Sequence, residues 1–415
     1  MRIKMCKAAV TILIFVTVLY TAISTFAAAE TSTAALRMRP LADKLSAVTK
    51  NDIDEGLKKY SDIGMHWGRF CIGKLTVLDI IGGGGRDRFN PDGEMSTAAF
   101  LKTVVLSLGY KIPAVTGLKW ADPYIEQARK DKLIDVGEFK DYTKAITREQ
   151  ASKIIYRAAM LFQPDVSEPG YMGVMRCRIK DYAKIGDKYK DFFVKSYVLG
   201  YFVLGSKSVC NPQDTLTRAQ ACTIVIRLLD TRARAAFAVK ENEYYIGTDG
   251  KKYYPIWSLD PVNAINVVEK NLKKSTGFVQ KGASGLDGAS WIFYESEDEA
   301  EANPVHGMDF DIGLHNDEST INMNRLCEVT LFDKKATKEK HLALIYELLK
   351  YFFEYEFPKA KTELDNIFSK DGCRIDREVK INERYLCMHG TKNISISITC
   401  KGGLNSEQYL KKYPN

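Results

Sequence analysis

Apolar residues in the first half of the chain recur with the spacing of short amphipathic helices. The segments HWGRFCIGKLTVLDII, KWADPYIEQARKDKLI and KYKDFFVKSYVLGYFV align without gaps. Trp67, Trp120 and Tyr189 take one position, and Ile72, Ile125 and Val194 follow five residues later. Apolar pairs close each segment: Ile80 and Ile81, Leu133 and Ile134, Phe202 and Val203. These offsets place the residues on one helical face. A loop follows, carrying Gly82 to Gly85 in the first copy and Gly205 in the third. A second helix then opens with MSTAAF, ITREQA or LTRAQA. The aromatic precedes the opening Ser96, Thr147 or Thr217 by 29, 27 and 28 residues respectively. A helix–loop–helix unit of this size cannot bury its apolar face alone, so three units are expected to pack together.

After Asp230 the repeat stops. Residues 231–243 read as a linker. From about Tyr244 the pattern becomes mixed. KKYYPIW, ASWIFYES and RLCEVTLF read as strands, and REVKINERYLCMHGTKNISISITC as terminal strands separated by turns. PVNAINVVEKNLKK reads as a helix capped by Asp260, and TKEKHLALIYELLKYFFEYEF as one long amphipathic helix. The expected architecture is an all-α, threefold helical bundle over 60–230, followed by a separate α+β domain over 244–415.

The N-terminus changes the picture further. Arg2, Lys4 and Lys7 precede the apolar run Ala8 to Ile23, and Ala27 to Ala29 follow. This is the layout of a secretory signal over 1–29, with cleavage before Glu30; an uncleaved membrane anchor is the alternative. Residues 30–59 form an N-terminal segment. No later run reaches the 18 apolar residues of a membrane span. Eight cysteines lie beyond the signal: Cys71, Cys177, Cys210, Cys222, Cys327, Cys373, Cys387 and Cys400. An exported chain permits disulfides, and buried thiols are equally consistent with apolar surroundings. No C-x-x-C pair is present, which argues against a structural zinc site. Composition (45% hydrophobic, 27% charged) is that of globular material, and the net charge of +8 over 415 residues favours an anionic partner only weakly. No basic run interleaved with aromatics points to nucleic acid.

The tripled units, W-x4-I, the glycine loop, Phe89-x-Pro91, and the openings ITREQA and LTRAQA together resemble the S-layer homology domain. The resemblance covers about 60–230, as repeats over 60–110, 111–162 and 177–230. It implies a pseudo-threefold helical bundle that binds secondary cell-wall polysaccharide, typically pyruvylated, and holds an exported protein on the cell surface. Self-assembly into a surface layer is a further implication. No cofactor is implied.

Thr147 and Thr217 are N-caps, and Gln150 and Gln220 complete capping boxes. Arg148 and Arg218 remain to be explained, because a cation in the first turn opposes the helix dipole by about 0.3–1 kcal/mol. Either a structural ion pair or an external anion would compensate. A helix N-terminus offers N–H groups to an anion, and arginine adds a planar fork suited to a carboxylate. The resemblance implies that Arg148 and Arg218, with Thr147 and Thr217, bind the acidic polymer. The first copy has Thr97 and Ala99 in place of arginine and glutamine, so it is expected to be structural or a weak site. Trp67, Trp120 and Tyr189 read either as core residues or as platforms for sugar rings.

In the second half, HGMDFDIGLH sets Asp309 and Asp311 on one strand face between His306 and His315. These are weak candidates for a metal, and a solvated polar face is the alternative. No nucleophile elbow, H-E-x-x-H or phosphate loop occurs. A displayed binding domain is therefore favoured over the alternative, a surface-tethered wall or polysaccharide hydrolase with its catalytic unit in 244–415.

Overall fold

The computed structural model describes residues 32–85, 87–113, 116–165, 169–255, 258–285, 288–294, 296–302, 308–313, 325–332, 334–369, 373–399 and 407–408. The expected export signal over 1–29, and both His306 and His315, lie outside the described residues. No helix among the described residues is long and apolar enough to cross a membrane. The chain forms two compact units, one helical and one α+β.

The helical unit comprises the described residues up to 165 together with 179–237. It opens with α1 (Thr33–Ala47) and α2 (Lys50–Leu57). The helix pairs of the three copies are α3 (Arg69–Val77) with α4 (Thr97–Ser107), α5 (Asp122–Lys130) with α6 (Arg148–Ala159), and α8 (Lys190–Val198) with α9 (Arg218–Leu229). Between α6 and α8 lies α7 (Pro169–Arg178), which belongs to the other unit.

Packing in the helical unit is cyclic. Each first helix lies against the second helix of the preceding copy: α5 on α4, α8 on α6, and α3 on α9. The centre is closed by backbone. Met95 N–H donates to Leu216 C=O (2.8 Å), Leu216 to Ile146 (3.0 Å), and Ile146 to Met95 (2.9 Å). All three residues are buried. α1 and α2 join this bundle. Arg37 Nε donates to Leu108 C=O, and Gly73 of α3 approaches Ile53 and Leu57 of α2.

The first helices end alike, and the ending exposes a register slip. Asp79 (φ 58°), Lys132 (φ 55°) and Gly200 (φ 77°) each adopt the left-handed C′ conformation. The next amide, of Ile80, Leu133 or Tyr201, then reaches back five residues to a helix carbonyl. The third apolar pair is therefore Tyr201 and Phe202, 0% and 2% exposed, whereas Val203 is 49% exposed. At the other end, Tyr189 takes the N-cap position of Gly68 and Ala121, one residue beyond Trp67 and Trp120. One residue is 100° of helix rotation, enough to turn a side chain from surface to core.

The α+β unit comprises 169–178 and the described residues from 238 onward. Arg178 ties α7 into it, donating through Nε and Nη2 to the Glu243 carboxylate and through Nη2 to Ala238 C=O. The 231–243 stretch read as a linker thus divides between the units near residue 237, and Glu243 is 4% exposed.

A small hairpin, β1 (Tyr245–Ile246) with β2 (Lys252–Tyr253), precedes α10 (Asp260–Asn271). Then come β3 (Phe278–Gly285), β4 (Gly288–Tyr294), the short α11 (Glu297–Ala302), β5 (Met308–Gly313) and β6 (Arg325–Leu331). They are followed by α12 (Lys334–Phe353), α13 (Phe357–Phe368), β7 (Ile375–Ile381), β8 (Arg384–Gly390) and β9 (Ile394–Thr399). The seven longer strands make one antiparallel sheet in the order β3-β4-β5-β6-β9-β8-β7. One sheet face packs on α10, α12 and α13 through Trp291, Phe293, Val329, Leu386, Ile396, Ile265, Leu348 and Leu364.

Two readings of this unit change. Asp260 is the first helical residue, not the cap, because it accepts from the buried Arg384 and from Tyr351. The long helix breaks at Glu354, whose φ is 46°, ahead of Pro358.

Gly73 is a test of the bundle. A Cβ there would lie 2.4 Å from Ile53 Cγ2. Overpacking of this kind costs about 1–3 kcal/mol, against the ~1 kcal/mol of helix propensity that alanine returns. G73A is expected to lower the melting midpoint by a few degrees. G84A, whose methyl meets nothing within 4 Å, should leave the midpoint unchanged.

Candidate functional site

The second helices begin as their local sequence dictates. Ser96, Thr147 and Thr217 cap their helices through side-chain oxygens, and the boxes of Thr147 with Gln150 and Thr217 with Gln220 are complete. The next two amides go to a neighbouring copy. Thr97 and Ala98 donate to Lys144 and Tyr142 C=O, Arg148 and Glu149 to Asp214 and Pro212 C=O, and Arg218 and Ala219 to Gly93 and Pro91 C=O. The expectation of N–H groups open to an anion at these helix starts is thereby corrected: carbonyls from the next loop occupy them.

The arginines follow the same cyclic rule. Arg148 Nε donates to Cys210 C=O (2.8 Å) and Nη2 to the Tyr197 hydroxyl (2.9 Å). Arg218 Nε donates to Phe89 C=O (2.9 Å) and Nη2 to Gly82 C=O (2.6 Å), with the guanidinium 4.5 Å from the Phe89 ring centre. Phe89 and Cys210 hold equivalent loop positions. Neither arginine pairs with a carboxylate among the described residues, so the structural ion pair is not what holds them.

A guanidinium carries five N–H groups, and each of these commits two to oxygen acceptors. Arg148 Nη1 has no acceptor among the described residues, and Arg218 Nη1 has the Met95 sulfur at 3.9 Å. Burial pulls the Arg218 guanidinium below its ordinary value, although it stays charged at neutral pH. Thr97 stands where the first copy lacks arginine. It is 1% exposed and bonds Lys144 C=O through its hydroxyl.

Two aspartates missed in the sequence hold the loops that receive the arginines. Asp62 accepts from the Phe89 and Asn90 amides (2.9 and 2.7 Å), and Asp181 from the Cys210 and Asn211 amides (both 2.8 Å). Burial works to raise both carboxyls, but these amide bonds outweigh it and hold them below the usual range. Their only sequence signal is an aspartate shortly before each first helix, and the second copy does not repeat it.

The three aromatics are not equivalent. Trp67 is 61% exposed and tilts against His66, whose Nδ1 accepts from the Gly68 amide and whose Nε2 lies 3.1 Å from Asp92. Gly68 abuts Ala219, which places the backbone next to Trp67 beside the start of α9. Trp120 is half-buried, with Lys102 Nζ 5.7 Å from its ring centre. Tyr189 is 4% exposed, so it offers no platform, and Lys188 takes the place of tryptophan there. The junction at Arg148 also holds Glu149, 6% exposed, which accepts from the Gly186 amide. Of the two arginine junctions, that of Arg218 is the one with an exposed aromatic; Ala219 stands there where Glu149 follows Arg148, and the carboxylates at this junction are Asp62 and the exposed Asp92.

In the α+β unit, Asp309 and Asp311 fall on one face of β5, as alternation requires, opposite Thr330 and Glu328 of β6. Asp311 is exposed. The His residues expected to complete a metal set lie outside the described residues. No two of the described cysteines are bonded to each other. No family model and no curated protein matches the chain.

Near Tyr189, the buried Lys153 Nζ pairs with Asp135 (2.6 Å) and the equally buried Glu138 (2.9 Å), and Arg157 also holds Asp135. The Arg157 and Lys153 bonds hold the Asp135 carboxyl down to about 2, below its unfolded value of about 3.9. A depressed carboxyl contributes stability above its unfolded value and loses it as pH falls through the folded one. Unfolding midpoints measured from pH 5 to 2 should therefore fall more steeply in the native chain than in D135N below about pH 4.

Proposed function

We propose that the helical unit anchors the protein non-covalently to an anionic cell-surface polysaccharide, and that the α+β unit is the cargo so displayed. The observation that carries this reading is the repeated arginine. In two of three cyclic copies, an arginine reaches across to the loop of the next copy, is held there by neutral oxygen acceptors, and keeps N–H donors uncommitted. The resemblance to S-layer homology domains supplies the ligand class, a wall polymer bearing carboxylates such as pyruvate ketals. Rigid positioning of a cation by neutral acceptors preserves its charge for a ligand, whereas a carboxylate would have neutralised it.

The junction at Arg218 is the stronger site in this reading. Trp67 offers a flat apolar face to a sugar ring beside the cation that takes the acidic group. The junction at Arg148 adds a weaker contact, because Glu149 opposes an anion there. The copy opened by Thr97 completes the bundle.

Binding of the full-length chain to purified pyruvylated wall polymer tests this. Charge-assisted hydrogen bonds contribute about 1.5–3 kcal/mol, so R218A should weaken binding by roughly tenfold or more. W67A, which removes an exposed side chain, should weaken it several-fold with the melting midpoint unchanged, and R148A should have the smallest effect. Undiminished retention of R218A and W67A, or equal retention by polymer stripped of its ketals, would overturn the proposal.

A further inference from the structure

The α+β unit holds a donor set that arises from strand register. In the β7–β8 hairpin, Glu378 lies opposite Cys387 and Asp376 opposite His389. Leu386 and Met388 turn into the helix-covered core, so alternation turns Cys387 and His389 to the other sheet face. Glu378, Cys387 and His389 each bring one ligand atom, and these atoms lie within 4.8 Å of one another. A tetrahedral zinc with bonds of about 2.0–2.3 Å spaces its ligand atoms about 3.3–3.7 Å apart. Closing the set on an ion needs its farthest pair to approach by at most about 1.5 Å.

The histidine is already oriented. Its Nδ1 lies 2.8 Å from an Asp376 oxygen. The tautomer that donates from Nδ1 to an ionised Asp376 leaves the Nε2 lone pair, 3.5 Å from Glu378, as the ligand atom. A carboxylate behind an imidazole is the usual outer support of a histidine ligand. Thiolate, imidazole and carboxylate together suit a borderline-soft cation rather than calcium or magnesium. β7 is the edge strand of the sheet, and Glu378 and His389 are partly exposed, so an ion reaches the set from the side.

We propose that Glu378, Cys387 and His389 form a binding site for a zinc-type divalent cation on the outer face of the seven-stranded sheet, with Asp376 as the positioning residue of His389. Three protein ligands leave a fourth coordination position for water. This site is independent of polymer binding by the helical unit.

Titration of the chelator-treated full chain with Co2+ tests the proposal, because a cobalt–thiolate bond gives a charge-transfer band in the near ultraviolet. The native chain should develop the band at one equivalent, and Zn2+ should displace it. C387S should lose the band. H389Q should bind at least about 100-fold more weakly, and D376N about 10–100-fold more weakly with the band retained. Absence of the band in the native chain, or its persistence in C387S, would overturn the site. Should C387S not fold, H389Q decides, since its ring is partly exposed: native affinity there overturns the site as well.

Discussion

Three backbone hydrogen bonds, passed from Met95 to Leu216, from Leu216 to Ile146 and from Ile146 back to Met95, govern the helical unit. Once the three strand-like segments meet in a ring, each second helix must start at the centre, with its first amides buried. Buried amides need acceptors, and each helix finds them in the loop of the neighbouring copy. In two of the three copies that loop is fastened in turn, by Asp62 or Asp181. The arginines then bond the carbonyl side of the same fastened segment. Ring, helix starts, loops and cations form one connected hydrogen-bond system, so the arginine position follows from the closure of the ring.

What could be read along the chain was whatever depends on near neighbours. Thr147 with Gln150, and Thr217 with Gln220, are three residues apart, and their caps form as expected. The strands β4, β6 and β8 follow their alternation. Errors arose where the deciding contact is distant. The amides of Arg148 and Arg218 looked available because their acceptors, Asp214 and Gly93, lie 66 and 125 residues away in sequence. Asp260 looked like a cap until Arg384 claimed it. Matching by aromatic identity sets the third copy one residue out of phase, because Tyr189 stands at the N-cap position and Trp67 and Trp120 one before it. The left-handed residue ending the helix, Asp79, Lys132 or Gly200, sets the true phase.

The donor set on β7 and β8 illustrates the same limit from the other side. A search for C-x-x-C spacing passes over Glu378, Cys387 and His389, which are brought together only when the Asn382–Glu383 turn fixes the hairpin register. Both turn residues have positive φ, 47° and 65°. That conformation suits a two-residue hairpin loop. A slip of one residue would turn Cys387 and His389 toward the helices and dissolve the cluster.

The placement of α7 has a consequence for taking the molecule apart. The chain leaves the helical unit after α6, contributes Pro169–Arg178 to the α+β unit, returns for α8 and α9, and leaves again near residue 237. The units are therefore threaded through each other's sequence, not joined end to end. No single backbone cut frees one from the other. A fragment beginning at Tyr244 would lack both the helix that carries Arg178 and the Glu243 that holds it, so truncation there removes part of the α+β unit itself.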